Sequence, residues 1–324
     1  MMRYAWLEAL ERSGSASPDT GWEPKHIGLW RGDALVAAVP AYRKHHSLGE
    51  YVYDFGWAAA AERAGVAYYP KYLLGVPISP IAGQRLLTSR GEDAALLQRA
   101  LLEGAEAWAR ANDCSGVHAI FLTEGEASLA ESAGWIRRTT AQFHWRNPGY
   151  RHYDDYLSRF TSKRRHQLRR ERHAAAQQGI EIRTRRGSAL GPSDAEMAYR
   201  FYEATVTKNT WGRKLLNEEF FRRVFQAFPE NVELVEAVRG GRVIAGAFNL
   251  VQGDVLYGRY WGCFEEHPFL HFNVCMYHAI DECIQLGRRE FQPGAGGEHK
   301  IARGFEPTAI ESAHVLFHPG LSRA

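Results

Sequence analysis

The sequence predicts a mixed α/β (α+β) fold built twice over, with mostly antiparallel sheets flanked by helices. Three observations carry that expectation. HIGLWRGDALVAAVPAY in the first half and VELVEAVRGGRVIAGAFNL in the second each give an apolar run, a two-residue glycine turn (Gly32-Asp33, Gly240-Gly241) and a second apolar run, the pattern of a hairpin. Each hairpin is followed by an aromatic run, GEYVYDFGW or DVLYGRYWGC, expected as a third strand. Each half then passes through a helix into a strand. Residues 94–112 carry Leu96, Leu97, Leu101, Leu102, Ala105 and Trp108 at helical spacing before strand 117–122. Residues 271–286 carry Phe272, Met276, Ile280 and Ile284 before a strand at 290–292.

The ends of the halves also match. ESAGWIRRTTAQFHW and IARGFEPTAIESAHVLF both read as a short helix, a glycine-aromatic pair and a final strand. Meander, helix, strand, short helix and last strand is the element order of the GNAT acetyltransferase fold. Two copies in register predict a tandem duplication. The halves are expected at 1–150 and 180–324, joined by a linker at 151–179. The first copy lacks an opening strand, because a helical pattern already starts at Met1.

A length of 324 residues suits two domains. Hydrophobic and charged shares of 45% and 24% are ordinary for a globular chain, and the net charge of +3 is modest. Four cysteines form no CxxC pair, and Cys275 and Cys283 share one helix, too far apart to bridge. They are expected as reduced thiols. The N-terminus, MMRYAWLEALERSG, has no apolar core of a secretory signal. No stretch reaches the ~20 apolar residues of a membrane span. A soluble, cytoplasmic protein of unassigned oligomeric state is expected.

Chemistry concentrates in Pro293–Phe305, PGAGGEHKIARGF. Its glycines let backbone N–H groups approach a ligand, and Glu298, His299, Lys300 and Arg303 follow directly. Acyl transfer needs an amine freed of its proton and a stabilised oxyanion. Glu298 or His299 suits the first task, Lys300 or Arg303 the second. A solvated glycine turn is the plainer alternative. A second cluster, Tyr257, Arg259, Tyr260 and Trp261, ends the third strand. In a GNAT half the splayed centre of the sheet holds the acyl donor, so Arg259 is placed to bind a phosphate or carboxylate, while Trp261 reads better as core. His271, Cys275, His278 and Glu282 share a helical face, with Cys263 and His267 upstream. The spacing matches no structural zinc motif, so no metal is expected, and His271 is assigned instead to the cleft.

The linker, expected as one helix over 154–178, packs Lys163, Arg164, Arg165, Arg169, Arg170 and Arg172 into ten residues, offset only by Glu171. This makes either a phosphate-binding surface, for tRNA or a nucleotide-linked substrate, or a solvated face. No DNA-reading motif is present. The Gln/Arg-x-x-Gly-x-Gly/Ala loop by which acetyl-CoA users of this fold hold pyrophosphate has no clean copy, which lowers acyl-CoA as donor.

The chain resembles the FemAB-like predicted N-acyltransferases, relatives of the FemABX transferases. The resemblance is carried by KRRHQLRRERHAAAQQGIEI, GEYVYDFGWA, YYPKY, QFHW, YGRYWGC, LHFNVCMYHAI and PGAGGEHKIARGF. FemABX enzymes move amino acids from aminoacyl-tRNA to peptidoglycan precursors. The resemblance therefore implies acyl or aminoacyl transfer to an amine of a small molecule or peptide, with aminoacyl-tRNA or acyl-CoA as a co-substrate and no permanently bound cofactor. It also implies that first-half residues such as Lys44, Glu50, Tyr69, Lys71 and Arg85 bind the acceptor, although from the sequence alone they read equally well as surface residues. Family members carry a lysine near the Gly304-Phe305 position. Lys300 sits further from that pair than their spacing, so Arg303 is the alternative holder of the role. Two rival readings are a CoA-dependent acetyltransferase with a degenerate loop and a non-catalytic protein that binds an anionic ligand.

Overall fold

The computed structural model describes residues 3–208 and 213–321. The chain divides into two compact units, Met1–Ala141 with Ala309–Ala324, and Gln142–Thr308. The divisions thus fall at different places from the expected 150 and 179, and the basic linker lies wholly inside the second unit.

The first unit runs α1 (Tyr4–Arg12), β1 (Trp22–Pro24), β2 (Ile27–Arg31), β3 (Ala34–Val39), β4 (Ala41–Lys44), α2 (Phe55–Arg63), β5 (Lys71–Leu74), β6 (Leu87–Thr88), α3 (Ala94–Ala111), β7 (Gly116–Leu122), α4 (Glu124–Ser132) and the start of β8 (Ile136–Arg146). The Gly32-Asp33 turn closes the hairpin, with Arg31 opposite Ala34. Pro40 interrupts the chain after β3, and the hairpin forms a small sheet with β6. The main sheet has the order β1-β4-β5-β7-β14, its last member being the far end of β14 (Glu306–Leu316). The opening of this half is only the three-residue edge strand β1, paired with β4.

One expected strand is absent. Residues 49–54 are irregular and GWAAAAER lies in α2. Tyr51 takes a φ of 60°, which breaks extended chain, and the alanine run favours helix. The third strand is instead β5, parallel to β7, with Leu73 opposite His118.

The second unit runs α5 (Tyr153–Ser158), α6 (Ser162–Gln177), β9 (Glu181–Arg186), α7 (Pro192–Lys208), α8 (Glu218–Ala227), β10 (Val232–Arg239), β11 (Arg242–Gln252), β12 (Val255–Cys263), α9 (Leu270–Phe272), a π-helical segment (Asn273–Tyr277), α10 (His278–Gln285), β13 (Glu290–Gln292) and a 3₁₀ turn (Glu298–Arg303) that leads into β14. Thr161 accepts from the Arg164 N–H as an N-cap, so the linker is two helices rather than one. The sheet order is β8-β13-β12-β11-β10-β9.

Each half hands its last strand to the other unit. Trp145 and Arg146 of β8 pair with β13 in the second unit. Residues 311–316 of β14 pair with β7 in the first.

Helix α7 lies unusually close to its sheet. Gly246 and Gly262 face each other across β11 and β12, and a Cβ on Gly262 would sit 2.3 Å from the Phe201 Cα. The clash is with backbone, so it cannot be relieved by a rotamer change. Gly262→Ala is expected to destabilise by about 1–3 kcal/mol or more, measurable as a lowered urea midpoint at unchanged slope.

Candidate active site

The site arises where two parallel strands part. β12 and β13 pair from Val255 opposite Glu290 to Tyr257 opposite Gln292, and Pro293 then ends the ladder because it has no N–H to give. Beyond that point β12 continues against β11 alone, and there it bulges. Gly258 pairs with Asn249 and Tyr260 with Phe248, which leaves Arg259 as the extra residue. Gly258 is tightly enclosed, since a Cβ would lie 3.3 Å from both the Phe291 ring and the Pro293 Cα.

The resulting pocket, of about 210 Å³, is lined by Asn249, Arg259, Trp261, His271, Cys275, His299 and Lys300 among others, with Gly296 and Gly297 on its rim. No carboxylate is among its described lining residues. Lys300 is 5% exposed, and its Nζ donates to the Gly294 carbonyl at 2.8 Å. Burial pushes its ammonium down to about 8, against the opposing pull of the Cys275 thiol. His271 stands edge-on to Trp261 with centroids 5.1 Å apart and 6.3 Å from the His299 ring. Desolvation first, and then neighbouring cations, hold both imidazoles below their ordinary value, so both are neutral at pH 7.

The structure therefore brings Arg259, Tyr260, His271, His299 and Lys300 together. Tyr260 accepts from Arg259 Nη2 at 3.1 Å. Trp261, expected as core, is a pocket wall. Tyr257 is half-buried outside the pocket, and Glu298 is exposed and outside it. Arg303 does not line it either. Its Nη2 donates to Glu171 at 2.7 Å, its Nε to the Tyr277 hydroxyl at 2.8 Å and its Nη1 to the His299 carbonyl at 3.1 Å, while its guanidinium stacks 3.5 Å over Phe272. The expected His/Cys helix face is divided by the π-helical turn. His271 and Cys275 meet the pocket, whereas Thr184 bonds His278 at 2.8 Å and Glu282 at 2.6 Å.

On the basic helix, Glu171 is buried rather than offsetting the positive face. Arg164 donates to the Ala302 carbonyl at 2.7 Å, Arg169 pairs with Asp154 at 2.9 Å, and Arg172 pairs with Asp281. Lys163, Arg165 and Arg170 have no salt bridge among the described residues.

In the first unit, Lys44 and Lys71 are fully buried rather than open to an acceptor. Lys71 donates to Glu50 at 2.7 Å and Ser47 at 2.8 Å, and it also bonds Asp54. Lys44 lies 3.6 Å over the Trp22 ring, and Tyr69 shares a hydrogen bond with Ser47 at 2.8 Å. Arg85 turns back on its own loop, donating to the carbonyls of Ile81 and Gly83. The place that matches the second-unit pocket is filled here. After β5 the chain folds back so that the Gly83 N–H donates to Phe121 at the end of β7, and Val76, Ile78, Ile81 and Leu86 are buried.

Sequence reasoning missed Asn249 and Glu171. Asn249 carries a weak signal, one amide within the apolar run AGAFNLV; Glu171 carries one too, the lone acid in a basic helix.

A family model for peptidoglycan biosynthesis and recognition, FemAB-like, matches residues 1–324. The chain belongs to the FemAB-like family. The resemblance seen in the sequence thus holds over its whole length. No curated protein matches it. Among solved structures it is similar to L-PGS from Bacillus licheniformis (TM-score 0.57, 9% identity, covering 96% of this chain and 91% of that one). It is also similar to the C-terminal domain of a putative lysylphosphatidylglycerol synthetase from Agrobacterium fabrum (TM-score 0.58, 10% identity, covering 98% and 95%). A third likeness is to FemX (TM-score 0.55, 11% identity, covering 99% and 92%). At these identities the likeness is one of fold, and the fold of this FemAB-like protein is the tandem GNAT type. No helix among the described residues is long and apolar enough to cross a membrane.

Proposed function

We propose that this FemAB-like protein is an N-acyltransferase that moves an acyl or aminoacyl group onto an amine, with its reaction centre in the second-unit pocket. The observation that carries this reading is Lys300, a buried ammonium in a pocket without carboxylates, formed where β12 and β13 part. In the reaction the amine nitrogen attacks the carbonyl carbon, a C–N bond forms, and the π electrons move to oxygen. Lys300 and Arg259 stabilise that oxyanion. The ester or thioester bond to the donor then breaks, and the amine proton passes to the neutral His299 and on to the leaving group or solvent.

The pocket volume favours an aminoacyl or short acyl group. About 210 Å³ is below the ~300–1,000 Å³ of sites that enclose drug-sized ligands, so the nucleotide part of a donor lies outside it. Lys163, Arg165 and Arg170 supply a positive face for such a polyphosphate. With the missing pyrophosphate loop, this favours aminoacyl-tRNA over acyl-CoA, and the family favours an amine of a peptidoglycan-type precursor as acceptor. Calorimetric titration with charged tRNA and with acetyl-CoA tests the choice. Binding of charged tRNA is expected, weakened at least tenfold when Lys163, Arg165 and Arg170 are changed together to Glu, with a shallower salt dependence. Tight acetyl-CoA binding indifferent to those changes would favour the CoA reading. Ligand binding without consumption of any donor would leave a non-catalytic binding protein.

A further inference from the structure

We infer that Glu171 is a positioning residue, through which linker helix α6 holds the 298–305 turn in the shape that keeps Lys300 buried in the reaction pocket. The inference rests on the proposed acyl-transfer site and deepens it. A 3₁₀ turn is poorly self-supporting, and this one takes much of its support from the linker. Arg164 Nε donates to the Ala302 carbonyl at 2.7 Å, the Tyr156 hydroxyl to the Arg303 carbonyl at 2.7 Å, and Arg159 Nη1 to the Gly304 carbonyl at 3.1 Å.

Glu171 is the anchor among them. It is 2% exposed, and its Oε2 accepts from Arg303 and from Tyr277. Its Oε1 accepts from Gln167 at 2.8 Å, and its carbonyl accepts from Asn273 at 2.8 Å. It therefore joins α6 to both walls that enclose Lys300, the π-helical segment bearing Cys275 and the turn itself. Burial would raise its carboxyl, but the hydrogen bonds from Tyr277 and Arg303 outweigh this and keep it ionised. An ionised carboxylate is what holds a buried guanidinium, and Arg303 in turn pins the His299 carbonyl beside Lys300.

The consequence is read on Lys300 itself, without any substrate. The charged and titratable groups that share the pocket with it are Cys275 and His271 from the helix side, Arg259 and Tyr260 from β12 and His299 from its own turn, with Arg303 outside the pocket on Glu171. The experiment follows labelling of Lys300 by an amine-reactive ester against pH, by peptide mass spectrometry on the full chain. Wild type is expected to label with a midpoint below that of an ordinary lysine. Glu171→Gln should loosen the turn, wet Lys300 and raise the midpoint by about half to one pH unit, whatever the change in overall labelling rate. Tyr277→Phe, which removes one hydroxyl and little volume, should shift it in the same direction by less, and serves if Glu171→Gln does not fold. An unchanged midpoint in either folded variant overturns the positioning role and leaves the acyl-transfer reading intact. A shifted midpoint with no donor consumed by wild type would do the reverse.

Discussion

Lys300→Met is expected to lower kcat by roughly 10²–10³-fold, the usual cost of removing one oxyanion donor, with the folded state retained. The ammonium stands in the pocket and holds no ion pair among the described residues, so its loss strands no partner charge there. Because burial brings Lys300 down to about 8, the cation is present below that pH and lost above it. Turnover should therefore fall on the alkaline side as pH rises through about 8. Lys300→Arg should keep part of the activity and move that limb upward, since a guanidinium does not titrate there. Steady-state rates against pH for the three proteins check this, and full turnover in Lys300→Met would remove Lys300 from the chemistry. Arg303 behaves differently. Its removal leaves Glu171 buried without its guanidinium, so the loss appears first in stability.

Lys71→Met is expected to cost about 3–5 kcal/mol, the effect of breaking a buried ion pair by removing one member. Asp54, 3% exposed, would be left without its cation, while Glu50, which burial raises to about 7, is only partly ionised at neutrality. Burial alone would raise the Asp54 carboxyl, but Lys71 and its hydrogen bonds outweigh this and hold it low. A lowered carboxyl contributes stability that is present above the ordinary carboxylate range and lost as pH falls through the folded value, and Lys71→Met should abolish that acid-side component. Lys44→Met is the control. Burial holds its ammonium down to about 7, so only about half a unit charge is removed at pH 7. Urea denaturation at pH 7 and pH 4 separates the cases, and equal losses for the two lysines would refute the assignment.

The hairpins, the α3 and β7 pattern, β12 and β13 were legible because each rests on local periodicity or turn chemistry. GEYVYDFGW misled because aromatic richness reads as strand, while Tyr51 with positive φ and an alanine run decide otherwise. Lys300, His299, His271 and Arg259 were singled out because a glycine loop, a strand end and a helical face mark candidates by type, and they line one pocket. Arg303 by its type, and Lys71 by the family resemblance, were read as ligand-facing, and a cation looks alike in sequence whether it meets a substrate or a buried carboxylate. What distinguishes them is a partner 132 residues away for Arg303 and 21 away for Lys71, which no spacing rule reaches. The exchange of final strands was illegible for a related reason. Each half carries a last strand of its own, and nothing in its residues states which sheet that strand joins.

That exchange bears on how the chain is made. The first unit's sheet takes its β7 partner from residues 311–316, which are synthesised only after the second unit. Until then β7 presents an unpaired edge flanked by buried apolar residues, a template for the wrong strand. Nascent chains of this protein should hold the first unit open while the second is being made, available to a holdase, and close it only once residues 311–316 have emerged. Splitting the gene between the halves would produce two fragments that acquire structure only when expressed together.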